Sequence, residues 1–90
     1  VPTSAYIHDR LGHLLAAEGD TAGAAEEWQR AIDLDPEYAY THANLGEALE
    51  SLGSKRSALK AYERAIELDP HASFAKEVKK RIAQLTASGL

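Results

Sequence analysis

Displaced by 34 residues, the chain matches itself: positions 5–38 fall on 39–72 with 14 identities. Leu11-Gly12 falls on Leu45-Gly46, Gly19 on Gly53, Ala24 on Ala58 and Trp28 on Tyr62. Ala31-Ile32 falls on Ala65-Ile66, and Leu34-Asp35-Pro36 on Leu68-Asp69-Pro70. The shared residues are small, aromatic or helix-breaking, the types that close packing and turns demand. A period of this length marks one supersecondary unit that cannot bury its apolar face alone and must stack on its neighbours. The chain therefore reads as one domain, residues 1–90, with repeat one at 5–38, repeat two at 39–72 and one more element behind them.

Each unit reads as two helices. In the first, Ile7, Leu11, Leu14 and Leu15 recur at helical spacing. Gly19 stops that helix, because glycine enters the left-handed C-terminal cap without a Cβ penalty. Asp20 is placed to cap the next helix, whose apolar stripe is Ala24, Trp28, Ala31 and Ile32. Asp35-Pro36 ends it and is expected to start a third helix, with Asp35 as N-cap and Pro36 in the first turn. The second unit repeats the scheme. Leu45, Leu49 and Leu52 precede Gly53, Ser54 is the expected cap, and Ala58, Leu59, Tyr62 and Ile66 precede Asp69-Pro70. The small Gly12, Ala24 and Ala31 let paired helices approach closely, and Trp28 and Tyr62 fill the space between them.

These residues resemble the tetratricopeptide repeat family. The matching pattern is His8-x-x-Leu11-Gly12-x-x-Leu15, Ala24-x-x-x-Trp28 and Pro36, then His42-x-x-Leu45-Gly46-x-x-Leu49, Ala58-x-x-x-Tyr62 and Pro70. The departure is His8 and His42, where the family pattern often has tryptophan. The resemblance implies an all-α fold, a right-handed superhelical stack (α-α solenoid) of five antiparallel helices.

A fifth helix is expected at about 71–86, with Phe74, Val78, Ile82 and Leu85 on one stripe and Lys76, Lys79, Lys80 and Arg81 opposite. That is the form of a terminal cap, apolar inward and polar outward. The last residues, 86–90, carry no pattern and are expected to fray. The other end has no such cap. Helix one is apolar over a wide arc, and Ile7, Leu11 and Leu14 form a candidate self-association surface. Either a preceding repeat of a longer chain or a second copy of this one is expected to cover it.

Composition closes off several functions. There is no cysteine, so neither a disulfide framework nor a cysteine-based zinc site is open to it, and a reducing compartment, the cytoplasm, is the expected setting. No apolar run approaches membrane-spanning length, so no membrane partner is expected. The net charge of −4 is uneven. Residues 1–53 hold ten acids against Arg10 and Arg30, which is −8, and residues 54–90 hold eight bases against four acids, which is +4. The basic run Lys76-x-x-Lys79-Lys80-Arg81 lacks interleaved aromatics that stack on bases, so it reads as a solvated helix face and no nucleic-acid partner is expected.

A search for chemistry finds none. The chain has no His-Glu-x-x-His, no Glu-x-x-His and no glycine-rich phosphate loop, and the spacing of Ser, His and Asp suggests no triad. No catalytic residue, cofactor or metal site is expected. Asp9 and His13 stand four apart on one helical face, but two ligands are too few for a metal. His8 and His42 are expected to pack in the helix pairs as modest aromatics, with a pH-sensitive stack as the sharper alternative. His71 is expected to be solvated, and Glu26-Glu27 and Asp33-Asp35 read as solvated faces.

What remains is a groove. The resemblance implies that the first helix of each repeat lines a concave surface for a partner peptide or helix. By position that surface takes Tyr6, Asp9, His13, Tyr40, Ala43, Asn44 and Glu47, then Glu77 and Arg81. Family members that grip the C-terminal carboxylate of heat-shock chaperones use a basic and asparagine set, of which only Asn44 and Arg81 have counterparts here. Asp9, His13 and Glu77 stand at the other three positions, so no chaperone-tail binding is expected. Asp9, Glu47 and Glu50 make the front of the groove acidic, and the expected partner is a protein segment with basic and apolar residues. The expected function is thus a protein–protein interaction scaffold, not an enzyme. The alternatives are a self-assembly module, pairing through the uncapped first helix or stacking head to tail through the charge split in a contact that weakens with salt, or an accessory domain of a larger enzyme.

Overall fold

The computed structural model describes residues 3–89. It contains five α-helices and no strand among those residues: α1 Thr3–Ala17, α2 Thr21–Leu34, α3 Ala39–Ser51, α4 Lys55–Leu68 and α5 Ala75–Ala87. α1 packs on α2 and α3 on α4 as two hairpins, α3 packs back on α2, and α5 lies on α4. The result is an elongated stack of 37 × 27 × 19 Å.

The hairpin turns are built as the glycines require. Gly19 and Gly53 have φ of 89° and 83°, in the left-handed region. Behind each, the next amide closes the helix end: Asp20 N–H donates to the Leu15 carbonyl at 2.8 Å and Ser54 N–H to that of Leu49 at 2.9 Å. This is the paired-bond ending that satisfies the last free carbonyls of a helix. Asp20 then caps α2, its carboxylate accepting from Gly23 N–H at 2.9 Å. Ser54 occupies the corresponding place before α4, but its hydroxyl makes no capping bond.

The Asp-Pro pairs behave differently from the expectation. Asp35 and Asp69 lie at the C-terminal ends of α2 and α4, with extended backbones of φ −145° and −149°. The residue before proline is driven out of the helical region by the proline ring, which ends the helix there. The next helix does not begin at the proline: α3 starts at Ala39 after a turn at Pro36-Glu37, and α5 starts at Ala75 rather than at 71. In both turns the Asp carboxylate accepts from the amide two residues on, Glu37 and His71, each at 3.3 Å. That local bond competes with helix formation. The other end of α5 runs further than expected, through Ala87, and Ser88 caps it; Leu90 lies outside the described residues.

The core is two adjoining clusters. Ala24, Ala25, Trp28, Leu45, Ala48 and Ala61 form the first. Ala43, Ala58, Tyr62, Ala65, Val78 and Leu85 form the second. Half-buried Leu49 packs against both. Alanines at the contacts allow the close approach of the helices, and each aromatic lies over a glycine. A Cβ on Gly12 would sit 2.5 Å from the Trp28 indole, and one on Gly46 would sit 2.7 Å from the Tyr62 ring. The fifth helix closes one end as expected, with Val78 and Leu85 buried, Phe74 and Ile82 packed on the second cluster, and Lys76, Lys79 and Lys80 exposed. No described helix is long and apolar enough to cross a membrane.

Candidate partner-binding groove

α1, α3 and α5, the first helix of each hairpin and the helix that follows, supply one face of the stack. Two cavities open along it. One, of about 200 Å³, lies between the first hairpin and α3, lined by Ala16 of α1, by Thr21, Ala24 and Trp28 of α2, and by Asn44, Glu47, Ala48 and Ser51 of α3. The other, of about 140 Å³, lies between α3 and α5, with Tyr40, Ala43, Asn44, Glu47, Tyr62, Phe74, Glu77, Val78 and Arg81 around it. Asn44 and Glu47 border both, so the two cavities form one groove crossing α3.

Of the residues the sequence nominates, Tyr40, Asn44, Glu47 and Arg81 line the second cavity together, with Ala43 and Glu77. His13 joins them through Asn44, whose side-chain amide donates to His13 Nε2 at 3.4 Å. The His13 ring meets Trp28 edge-on, centroids 5.3 Å apart. Tyr6 is exposed and lines neither cavity.

Two of the nominated charges are not free. Asp9 is buried, and its carboxylate accepts from the Thr41 hydroxyl at 3.0 Å and lies 3.6 Å from His13 Nε2. Its main-chain carbonyl also accepts from the Trp28 indole at 3.1 Å. Asp9 thus ties repeat one to repeat two from beneath the groove. Arg81 is held by Glu50 at 3.3 Å and by Glu77 at 3.2 Å. The Glu50 carboxylate keeps the Arg81 guanidinium firmly charged, and Glu50 also accepts from the Tyr62 hydroxyl at 2.9 Å. Burial, then that bond, pushes the Tyr62 phenol well above its ordinary range. Glu47, by contrast, is exposed and takes part in no ion pair among the described residues. Two lining carboxylates, Glu47 and Glu77, against one guanidinium that Glu50 also pairs leave the second cavity acidic.

Phe74 escaped the sequence reading of the groove, although the repeat period points to it: it stands 34 residues after Tyr40. The two rings meet edge-on with centroids 5.0 Å apart. The Tyr40 hydroxyl also bonds Ser73.

The Glu26-Glu27 reading is corrected in half. Glu26 is exposed, but Glu27 is buried. Its carboxylate accepts from His8 Nδ1–H at 2.7 Å and pairs with Arg30. The His8 bond, helped by the Arg30 charge and opposed by burial, holds the Glu27 carboxyl below its usual range. His42, the repeat partner of His8, has Ala61 where repeat one has Glu27. It turns instead to the Pro36 carbonyl, to which Nε2–H donates at 2.9 Å. These histidines therefore act as hydrogen-bonding ties as well as packing groups. Among the described residues no three His, Asp or Glu side chains gather as metal ligands.

Comparison with known proteins agrees with this architecture. Residues 12–53 match a family profile described as TPR repeat, and residues 39–72 one described as tetratricopeptide repeat. The chain is 28% identical to the MamA protein and superposes on its crystal structure with a TM-score of 0.75 over 94% of this chain. It spans half the length of that MamA chain, 50%. The solution NMR structure of a tetratricopeptide repeat domain protein from Salinibacter ruber superposes with a TM-score of 0.67, covering 98% of this chain and 85% of that one. At 21% identity that second likeness is one of fold alone. No curated protein matches. A 34-residue hairpin whose glycines seat aromatic rings, stacked twice and matched by both profiles, places this chain in the tetratricopeptide repeat family.

Proposed function

We propose that the domain is a protein–protein interaction scaffold that takes a partner segment, extended or helical, in the groove across α3. Repeats of this family generally mediate protein–protein interaction. One observation carries the finer reading: two cavities on the same face share Asn44 and Glu47 as a common wall. A segment crossing α3 can seat one side chain on each side of that wall. The first cavity has an indole floor and walls of small side chains, which suits an apolar side chain. The second presents Tyr40 and Phe74 beside the unpaired Glu47 carboxylate, which suits a lysine or arginine through charge and ring-face attraction.

The test is to pan a displayed peptide library against the wild-type chain and against an Asn44→Ala, Glu47→Lys double variant. Peptides with basic and apolar residues are expected to be enriched on wild type and lost on the variant. Equal enrichment on both removes the groove from consideration. A peptide ending in acidic residues and a free carboxylate is expected not to bind, since Glu47 and Glu77 would face it and Arg81 is already taken by Glu50 and Glu77.

A further inference from the structure

We propose that the cleft between α2 and α4, on the side of α3 away from the groove, is a second docking site, and that its occupant is an acidic amphipathic helix of a partner protein. That helix sets an apolar stripe into the cleft and a row of carboxylates along its α4 edge. The site is separate from the groove and does not depend on it.

The cleft is internal to the stack. α2 and α4 both pack on α3, and the space left between them is about 280 Å³. Its walls belong to consecutive repeats, so neither end of the sequence opens it. α3 divides it from the groove. At about 3.6 residues per turn, His42, Leu45 and Leu49 face the cleft, while Tyr40, Asn44 and Glu47 face the groove. The floor is apolar. Leu45 and Ala61 are buried at its base, and Ile32 and Leu49 are half-buried, with their outer surfaces open to the cleft. Covering them removes apolar surface from water, which favours association with any apolar segment.

The rim selects among such segments. No carboxylate lines the cleft, although acids outnumber bases 14 to 10 in the chain. Lys60 and Arg64 stand one turn apart on the α4 wall, about 6 Å along the helix axis. Lys60 is exposed and joins no ion pair among the described residues. Arg64 meets Glu37 at 3.9 Å, an exposed pair that water weakens. The α2 wall presents the neutral Gln29, whose amide donates to Asp33 at 3.1 Å. The cleft is therefore basic along one edge only, which fixes how a partner lies in it. The repeat does not demand this edge: one period earlier, the place of Lys60 is held by Glu26. A helix offers the complement, with carboxylates at i and i+4 beside an apolar stripe. A second copy of this chain does not. Its open apolar stripe, Ile7, Leu11 and Leu14, lies on α1, whose one acid, Asp9, is buried.

The probe is a synthetic peptide held helical by a lactam bridge, with leucines along one stripe and glutamates one turn apart beside it. A twin carries lysines in place of those glutamates. Titrated into the 90-residue chain and followed by NMR, the glutamate peptide is expected to bind one-to-one with micromolar affinity and to shift the methyl signals of Ile32, Leu45 and Leu49. The double variant Lys60→Glu, Arg64→Glu is expected to bind it at least tenfold more weakly. The same variant is expected to bind the lysine twin at least tenfold more tightly than wild type does, a gain that an unfolded chain cannot show. Glu47→Lys in the groove is expected to leave binding of the glutamate peptide unchanged. No binding by that peptide, or binding that the double variant does not weaken, overturns the proposal. So does a dimer in sedimentation velocity that the double variant converts to monomer, since a second copy would then own the cleft. Binding to phosphatidylcholine–phosphatidylserine vesicles that the double variant abolishes overturns it too, in favour of a membrane surface.

Discussion

Gly12 has a role that helix propensity alone would misjudge. In an exposed helix interior, glycine to alanine gains up to about 1 kcal/mol. Here the added methyl would stand 2.5–2.8 Å from three atoms of the Trp28 indole, whose N–H is tied to the Asp9 carbonyl and so resists moving aside. Gly12→Ala is therefore expected to destabilise the chain by about 1–3 kcal/mol, as overpacking does. Urea unfolding measures it, and a stabilised variant would refute the argument. Glu27 gives a second test, in pH. Its folded-state carboxyl is held below the ordinary value by His8 and Arg30. A depressed carboxyl adds stability that is present above the unfolded-state value of about 4.3 and is lost as pH falls through the lower folded-state value. Wild-type stability is expected to fall from about pH 5 downward more steeply than that of Glu27→Gln. Superimposable slopes would show that the His8–Glu27 bond contributes nothing.

The helices were largely foreseeable, their borders less so. Period, glycines and aromatic positions place every element and the capping role of the fifth helix, because those residues act through local backbone geometry and volume. The late starts of α3 and α5 depend on a contest that spacing does not reveal: Asp-Pro serves a helix start and a tight turn equally well until the Asp carboxylate commits to the amide two residues on. The candidate groove was half visible for a related reason. Position on a helix identifies Tyr40, Asn44 and Glu47, but only the packing shows that Asp9 is consumed by Thr41, and Arg81 by Glu50 and Glu77. The same limit applies to caps. Asp20 and Ser54 are equivalent by sequence, yet only Asp20 makes the bond to the third amide of its helix. Asp20→Ala is expected to cost about 1 kcal/mol, the usual worth of such a cap. Ser54→Ala is expected to stay within a few tenths of wild type. Equal losses in paired thermal melts would mean that the serine hydroxyl caps α4 in solution.

The two core clusters meet at Leu49, which packs against both while each retains its own aromatic and its own alanines. Repeat stacks hold together as units with intrinsic stabilities plus nearest-neighbour contacts, so cooperativity is a property of the contacts between units. Polar links also cross from unit to unit, Thr41 to Asp9, Asn44 to His13 and Arg81 to Glu50. These orient the units, but Leu49 is the apolar residue common to both clusters. Leu49→Ala is expected to cost about 2 kcal/mol, near the lower end for leucine truncation because the side chain is only half-buried. More telling than the cost is its form. Trp28 is the single tryptophan and reports on repeat one and its contact with repeat two, whereas far-ultraviolet dichroism reports on all five helices. In wild type the two urea transitions are expected to coincide, as they do for a cooperative two-state domain. In Leu49→Ala the fluorescence transition is expected to precede the dichroism transition, because repeat one, covered on one side only, loses its hold on the better-covered second repeat and α5. Coincident transitions with an unchanged denaturant slope would place the coupling between the repeats in the Asp9 and His13 network instead.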